Sequence, residues 1–182
     1  MKKYLSLLMM SLLFAFTACD VETDEEPGGT AVEKVAGFWT VRVNYSIAED
    51  EGNVPGDEAN MENWEWDDMF GESAKISTYN TASNSAKEVW FDDSAFFGVK
   101  VKADLDYAQK TFSCDTKDNV ASSGGEIKII KAQVLPGAAT TPSGAPADAI
   151  VVYAKITNNS NTYGLTYFKY EGYRYTGFAE DN

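Results

Sequence analysis

Two pairs of adjacent acids are the residues of this sequence whose types and spacing best suit catalysis. Asp92 and Asp93 follow two aromatic residues, and Asp67 and Asp68 follow Trp66. Paired carboxylates can serve as general acid and as base or nucleophile, which is how glycosidases hydrolyse their substrates. Adjacent acids at the end of a strand are more often solvated turn residues. Hydrolysis by paired carboxylates, in an enzyme that has no histidine, is therefore the least favoured of the three functions that we consider for this chain.

The rest of the composition removes most other catalytic chemistry. The 182 residues include no histidine, so no mechanism can use histidine as its base, and the commonest zinc ligand is missing. The sequence contains no Gly-x-Ser-x-Gly elbow, no Ser-x-x-Lys pair and no glycine-rich phosphate loop. We assign no catalytic residue and expect no cofactor and no metal site.

The beginning of the chain has the pattern of a secretory signal. Lys2 and Lys3 precede an apolar run over residues 4–16, which is too short to cross the roughly 30 Å of a bilayer as a helix. The run ends in Phe16-Thr17-Ala18-Cys19, which resembles the lipobox of bacterial lipoproteins. This resemblance implies cleavage before Cys19 and attachment of lipid to that cysteine. Three acyl chains would hold the protein firmly at a membrane.

An acidic segment follows the predicted lipidation site. Residues 19–33 are rich in Asp and Glu and contain Pro27-Gly28-Gly29, so they cannot bury enough surface to fold and are expected to form a tether. Such an acidic run also resembles export signals that carry lipoproteins to the outer face of the outer membrane, and a plain linker is the equal alternative. We expect an outer membrane lipoprotein.

Charge and cysteine content limit the partners and the bonds available to the remaining domain, residues 34–182. Removal of residues 1–18 takes two lysines away and changes the net charge from −13 to −15. Nucleic acid is therefore an unfavourable partner. Cys114 would be the only cysteine besides Cys19, so no disulfide can form within the domain and its core must stabilise it.

The domain has the two-residue alternation of β-strands. In residues 37–47, Trp39, Val41, Val43 and Tyr45 alternate with polar residues, which indicates a half-buried strand. Seven further strands follow the same pattern, in residues 74–81, 87–93, 96–107, 110–115, 125–135, 149–157 and 162–178. Short polar turns between most of them make neighbouring strands antiparallel.

Eight amphipathic antiparallel strands predict a closed up-and-down barrel, because closure removes the exposed sheet edges. A barrel of this size either is filled by side chains or holds one small ligand. Residues 57–72 interrupt the pattern between the first two strands, and we predict a short helix or ordered loop that closes one barrel end. Residues 136–148 contain three prolines and are predicted to form a stiff loop, either a lid or a rigid connection.

The predicted inner face carries many of the 24 aromatic residues of the chain. They either fill the core or line a pocket, and we predict an apolar void lined from at least three strands and large enough for an acyl chain. The candidate ligand-binding residues are Trp39, Val41, Tyr45, Trp90 (with Phe91 as its alternative), Phe97 and Val99.

Gly37-Phe38-Trp39 is similar to the Gly-x-Trp at the start of the first strand of lipocalins. In that fold an arginine of the last strand packs over this tryptophan at the closed end of the barrel. The chain has only two arginines, and one of them, Arg174, lies in the predicted last strand. The resemblance implies that Arg174 closes the barrel over Trp39.

A second resemblance covers nearly the whole domain. Residues 77–93, 100–113, 137–153 and 170–182 resemble the lipid-binding putative hydrolases, a family of Gram-negative lipoproteins, and the segment 136–148 is the most specific part. The resemblance implies a calycin-like barrel and an apolar ligand such as a lipid, and it supplies no catalytic set. The alternative to lipid binding is an accessory lipoprotein that docks on a protein partner at the cell envelope or on a glycan through aromatic residues in 57–72.

Overall fold

A computed structural model describes residues 29–53, 56–93, 96–121, 123–157 and 161–181. The predicted signal peptide, Cys19 and most of the predicted tether lie outside these residues. Val32 and Val35, on either side of the domain boundary expected after residue 33, are both buried in the core. No helix in the described part of the chain is long and apolar enough to span a membrane.

In the part of the chain that the structure describes, the fold consists of nine strands with three short helical segments. An α-helix, α1 (Ile47–Asp50), follows the first strand, and 3₁₀ helices cover Glu58–Asn63 and Ala179–Asp181. The strands are β1 (Gly37–Ser46), β2 (Trp66–Asp68), β3 (Ala74–Tyr79), β4 (Glu88–Asp93), β5 (Val99–Asp106), β6 (Thr111–Asp118), β7 (Glu126–Thr140), β8 (Pro146–Thr157) and β9 (Tyr167–Arg174).

The predicted eight-stranded antiparallel barrel is confirmed. Strands β3 to β9 pair in sequence order, and β1 pairs with both β3 and β9, which closes the sheet. The three residues of β2 are an addition, paired antiparallel with the end of β1 from Asn44 to Ser46. Closure leaves β1 with a hydrogen-bonded neighbour on each side, so the barrel has no long free edge.

The barrel has two different ends, which we name by the rings that occupy them. The Trp39 end contains the start of β1, the end of β9 and the turns after β3, β5 and β7. The Phe97 end contains the end of β1 and the connections after β4, β6 and β8. Residues 29–36 lead directly into the start of β1, so they also lie at the Trp39 end.

The core lies inside the barrel and follows the predicted alternation. Buried residues alternate with more exposed ones along β3, β4, β5 and β8. The largest fully buried side chains of this core belong to Trp39, Tyr170, Phe91, Phe97 and Phe168. Alternation in the sequence therefore determined correctly which face of most strands points inward.

A short helix between the first two strands, as predicted, is confirmed. The prediction that residues 57–72 close a barrel end is wrong for the 3₁₀ helix and β2, which pack on the outer wall formed by β7, β8 and β9, whereas Phe70 after β2 reaches the Phe97 end. Trp64 stacks on Trp66 with ring centroids 5.8 Å apart, and Trp66 in turn lies 5.8 Å from Tyr153 of β8. Glu58 forms an ion pair with Lys128 of β7. Outward-facing aromatic and charged residues on the wall thus hold the segment in place.

The loop predicted at residues 136–148 is also wrong, because β7 and β8 continue through most of it. The pairing is irregular between Leu135 and Ala139, which absorbs Pro136 and Gly137, and the ladder then resumes with Ala139 opposite Ala147. β8 begins at Pro146 rather than at Ala149. A proline at the first position of a strand removes no internal ladder hydrogen bond. The segment is a hairpin that extends β7 and β8 beyond the barrel at the Trp39 end.

Candidate functional site

Four of the six predicted ligand-binding residues lie in the barrel interior. Trp39, Val41, Phe97 and Val99 are each no more than 1% exposed. Tyr45 is half-buried, packs against the edge of the core, and donates a hydrogen bond from its hydroxyl to Asp67 Oδ2 at 3.2 Å. The interior set comes from β1, from β5 and from the connection before β5, as the alternation predicts.

Trp90 does not face the interior, and Phe91 takes the inward position instead. Along β4 the buried residues are Val89, Phe91 and Asp93, so Trp90 between them points outward. The Lys100 ammonium lies 5.3 Å from the Trp90 ring centroid on that outer face. Both residues are aromatic, so composition alone could not choose between them; the register of β4 against β5 does.

At the Trp39 end, the contact predicted between Arg174 and Trp39 is present. The guanidinium carbon lies 4.3 Å from the centroid of the indole ring. The indole Nε1 donates a hydrogen bond to Thr78 Oγ1 at 2.8 Å. Arg174 Nε bonds Asp148 Oδ2 at 3.1 Å, and its Nη1 donates to the carbonyl oxygen of Ala36. This end of the barrel is filled and held together by polar contacts.

The interior near the Phe97 end contains a buried carboxyl paired with a buried phenol. Asp93 and Tyr170 are both fully buried, and the Tyr170 hydroxyl donates a hydrogen bond to Asp93 Oδ2 at 2.6 Å. The backbone N–H of Phe96 donates to Asp93 Oδ1 at 3.0 Å. Burial raises the pKa of Asp93 to about 7, although these hydrogen bonds oppose the rise. The carboxyl therefore changes its protonation state near neutral pH.

The pKa of Tyr170 is raised well above its usual value, first by burial and then by the charge of Asp93. The phenol therefore keeps its proton and remains available as a donor. Tyr170 is not among the site residues that the sequence predicts. The position of Asp93 could have indicated the pair. Asp93 continues the inward series of Val89 and Phe91, so the alternation along β4 places a carboxyl inside the barrel.

A row of aromatic rings connects this interior to the surface at the Phe97 end. Tyr163 and Phe70 are 53% and 36% exposed, and their ring centroids lie 5.8 Å apart. From Phe70 the row continues to Phe96 at 4.8 Å and then to Phe97 at 6.2 Å. The fully buried Phe168 completes it, 4.5 Å from Phe97. Tyr170 lies two residues beyond Phe168 on the same inward face of β9.

The row draws its rings from different parts of the chain. Phe70 follows β2, Phe96 and Phe97 precede β5, and Tyr163 precedes β9. The rings meet because the connections that carry them lie at one end of the barrel. Sequence spacing gave no indication of this, since Phe70 and Tyr163 are separated by more than half of the chain.

The two acid pairs considered for catalysis do not act as pairs in the structure. Asp92 and Asp93 are consecutive in a strand and so point to opposite faces of the wall. Asp92 is on the outside, where its Oδ2 accepts a hydrogen bond from the Tyr79 hydroxyl at 2.8 Å. Lys100 Nζ lies 3.8 Å from the same oxygen. Asp92 therefore cannot share a substrate with Asp93.

Asp67 and Asp68 in β2 also have separate partners. Asp67 accepts the hydrogen bond from Tyr45, while Asp68 forms an ion pair with Arg42 and accepts hydrogen bonds from the backbone N–H groups of Phe70 and Gly71. These contacts lower the pKa of Asp68, with the Gly71 bond as the largest cause. A strongly stabilised carboxylate suits a structural role better than proton transfer.

The pockets identified among the described residues border the outer wall of the barrel, whereas the void was predicted in its interior. A pocket of about 510 Å³ is bordered by the exposed Asp104, Asp106 and Lys131 among others. The inward positions are filled by large rings, because Phe91, Phe97, Phe168 and Tyr170 are all fully buried. Entry of a ligand into the barrel would require some of these rings to move.

The remaining candidate groups have no visible chemical role. Burial raises the pKa of the Cys114 thiol, which makes this inward-facing residue a poor nucleophile. Within residues 29–181, and leaving aside the short gaps in the description, no three acidic or cysteine side chains are grouped to hold a metal ion. Cys19 lies outside the described residues.

The fold agrees with the result of comparison with known protein families. The model of the lipid-binding putative hydrolase family matches residues 24–179, which is nearly the whole domain. A search of curated proteins finds no match. The match includes the barrel, the Asp93–Tyr170 pair and the whole row of rings. The chain therefore belongs to the family of lipid-binding putative hydrolases.

Proposed function

We propose that this chain is a membrane-anchored lipoprotein whose barrel binds a lipid or a similar apolar small molecule at the Phe97 end. The observation that supports this proposal is the row of rings from Tyr163 and Phe70 to Phe168. Exposed aromatic side chains that continue into a buried apolar interior provide an apolar path for a ligand. At the other end of the barrel, the Arg174 guanidinium covers Trp39.

The path is tested by removing its outermost rings. The double variant Phe70→Ala and Tyr163→Ala should weaken binding of a neutral apolar fluorophore by delipidated protein several-fold. Phe38→Ala is the matched control, since Phe38 is 65% exposed and lies at the Trp39 end. Equal binding by both variants and the wild type would show that ligand does not enter along this row.

The nature of the ligand is tested by native mass spectrometry of protein isolated from its own host. A co-purifying lipid of defined mass is the expected result. A bound protein without lipid would instead favour the accessory, partner-docking function. Within residues 57–72, Trp64 and Trp66 pack against the barrel wall, so Phe70 is the exposed aromatic residue that this alternative would use.

The anchor is proposed from the sequence, on the basis of the apolar run and of Phe16-Thr17-Ala18-Cys19. We expect Cys19→Ser to release the protein from the outer membrane fraction, because the thiol that would carry the acyl chains is removed. Cys114→Ser is the control and should remain in that fraction. If Cys19→Ser stays membrane-bound to the same extent as the wild type, lipidation at this residue is rejected.

A further inference from the structure

We propose that Asp93 and Tyr170 form the head-group site of the barrel, where the pair donates a hydrogen bond to the carbonyl oxygen of an acyl lipid whose chain lies along the row of rings. The inference rests on the proposed lipid-binding function. It adds the part of the ligand that is recognised, the residues that recognise it and the direction in which the ligand enters.

The first argument is the number of hydrogen-bond donors at the pair. The Asp93 carboxyl accepts hydrogen bonds from three donors: the Tyr170 hydroxyl, the backbone N–H of Phe96 and the backbone N–H of Phe97. These donors satisfy an ionised carboxylate. A protonated Asp93 brings a second hydroxyl hydrogen to the pair, and only one of the two hydrogens can lie between the two oxygens.

The second hydrogen therefore needs an acceptor that the described contacts do not supply. A hydroxyl buried without an acceptor costs about 1–3 kcal/mol, so an acceptor brought by a ligand would be favourable. A carbonyl oxygen is such an acceptor, and it carries no charge that would have to be desolvated. The head group of an acyl lipid supplies this oxygen directly next to a hydrocarbon chain.

The second argument is the position of the pair at the inner end of the row of rings. Phe168 and Tyr170 are neighbours on the inward face of β9, and Phe168 contacts Phe97. A chain that lies along the row, with the rings of Phe97 and Phe168 moved apart, places its inner end at the Tyr170 hydroxyl. The ligand therefore enters with its head group first.

The residues that face Asp93 inside the barrel carry no charge, so gain or loss of the Asp93 proton is the main change of charge at this site. β5 places Val99 opposite Asp93, and β9 presents Phe168 and Tyr170. The further charge that acts on Asp93 is that of Asp92 on the outer face, which lies near Lys100. Since burial raises the pKa of Asp93 to about 7, the donor needed by the ligand is present below neutral pH and is lost above it.

The test is displacement of a neutral fluorophore, 1-aminoanthracene, by two uncharged competitors of equal chain length, methyl dodecanoate and dodecane. The ester should compete better than the alkane at about pH 6, and its advantage should fall about tenfold per pH unit above the pKa of Asp93. Neither competitor titrates, so any change with pH originates in the protein.

Two variants separate recognition from folding. Asp93→Asn keeps an N–H donor at every pH, so the preference for the ester should remain and lose its pH dependence. The double variant Asp93→Leu and Tyr170→Phe removes both polar groups without leaving either one unpaired, so it should bind ester and alkane alike. Thr78→Val, which removes a buried hydroxyl at the Trp39 end, is the control and should keep the wild-type pH profile.

Equal competition by ester and alkane at about pH 6, or an identical pH profile in the wild type and Asp93→Asn, would overturn the head-group site and leave lipid binding intact. Failure of the wild type to bind the fluorophore and either competitor at any pH would overturn the proposed function, and the head-group site with it. The two failures are therefore distinguishable.

Discussion

The guanidinium of Arg174 lies over the indole of Trp39, with its central carbon 4.3 Å from the ring centroid. The two residues are directly paired across β1 and β9, the strands whose association closes the barrel. Arg174 also bonds Asp148 of β8 and the backbone carbonyl of Ala36, which precedes β1. One side chain thus links three strands and the segment that leads into the first of them.

Replacement of Arg174 by alanine should lower the free energy of unfolding by roughly 1–3 kcal/mol, because a cation–π contact, a charge-assisted hydrogen bond and the packing of the side-chain stem are all lost. Arg174→Lys should recover only part of the loss, since an ammonium group cannot reproduce the planar, multiply bonded arrangement. Urea unfolding monitored by tryptophan fluorescence measures both effects.

The other arginine of the chain is the matched control. Arg42 forms an ion pair with Asp68 on the surface, and its side chain is 57% exposed. Arg42→Ala should cost less than about 1 kcal/mol, as is usual for exposed ion pairs. An equal loss in both variants would mean that the contact with Trp39 contributes nothing particular to closure.

The sequence predicted the barrel and its inner face because both depend on local alternation. Phe97 and Val99 fall on the inward face when residues are counted in twos along the strand, and no distant contact is needed to place them. Trp90 and Phe91 show the limit of this approach. Where adjacent residues are both aromatic, the phase of the alternation is ambiguous, and the pairing of Phe91 with Val101 of β5 resolves it.

The features whose positions could not be predicted from the sequence depend on contacts between distant segments. Residues 57–72 were predicted to close a barrel end, but Lys128 and Tyr167 hold the helical part of this segment on the outer wall. The prolines of residues 136–148 suggested a loop, yet a local irregularity accommodates Pro136 and lets the hairpin continue. The row of rings could not be predicted, because barrel closure assembles it from segments far apart in the sequence.

Gly172 should not tolerate a side chain, because β9 approaches β1 closely at this residue. A methyl group at Gly172 would overlap the carbonyl oxygen of Thr40 and lie 2.6 Å from Val41 Cα. Backbone atoms cannot rotate away, so Gly172→Ala must separate the two strands that close the barrel. We expect a loss of about 1–3 kcal/mol, which is typical of overpacking, seen as a lower midpoint in urea unfolding.

Gly56→Ala provides the control for this change. A methyl group at Gly56 would meet Trp64 Nε1 at 3.3 Å, which is the edge of a side chain on the outer wall. A small shift of that ring relieves the contact, so the variant should remain within about 0.5 kcal/mol of the wild type. If Gly172→Ala is equally neutral, the close approach of β1 and β9 does not limit stability.

Asp181 should fasten the hairpin of β7 and β8 to the end of the chain. Its Oδ1 accepts a hydrogen bond from the backbone N–H of Ser143 at 2.9 Å, and its Oδ2 accepts one from the Thr176 hydroxyl at 2.7 Å. These bonds, with that from Thr176 as the largest cause, lower the pKa of Asp181 to about 2. The charged form is therefore favoured in the folded state.

A lowered pKa means that the contribution of Asp181 to stability is complete above the usual pKa of 3.8 and is lost as the pH falls towards about 2. Asp181→Ala should abolish the protection of the Ser143 amide against hydrogen exchange at neutral pH. Amides in β4 and β5 serve as the internal control and should be unaffected. Unchanged protection of Ser143 in the variant would show that the carboxylate does not hold the turn.

Asp93 should have the opposite effect on the pH dependence of stability. Its pKa is raised from 3.8 to about 7 in the folded protein, with burial as the largest cause, so the folded state retains a proton that the unfolded chain releases at lower pH. Its stabilising contribution is therefore complete below about pH 4. It is lost progressively as the pH rises to about 7, at up to about 1.4 kcal/mol per pH unit.

The measurement is the difference in free energy of unfolding between the wild type and Asp93→Asn, taken at several pH values between about 4 and about 8. Asparagine can accept the Phe96 N–H with its carbonyl oxygen and donate from its amide nitrogen to the Tyr170 oxygen, and it cannot ionise. The variant should therefore be the less pH-dependent of the two and should gain on the wild type as the pH rises. Groups with lowered pKa values, such as Asp181, contribute equally to both proteins and cancel in the difference. A difference that stays constant over this range would show that Asp93 is ionised in the folded protein throughout, and that its raised pKa is wrong.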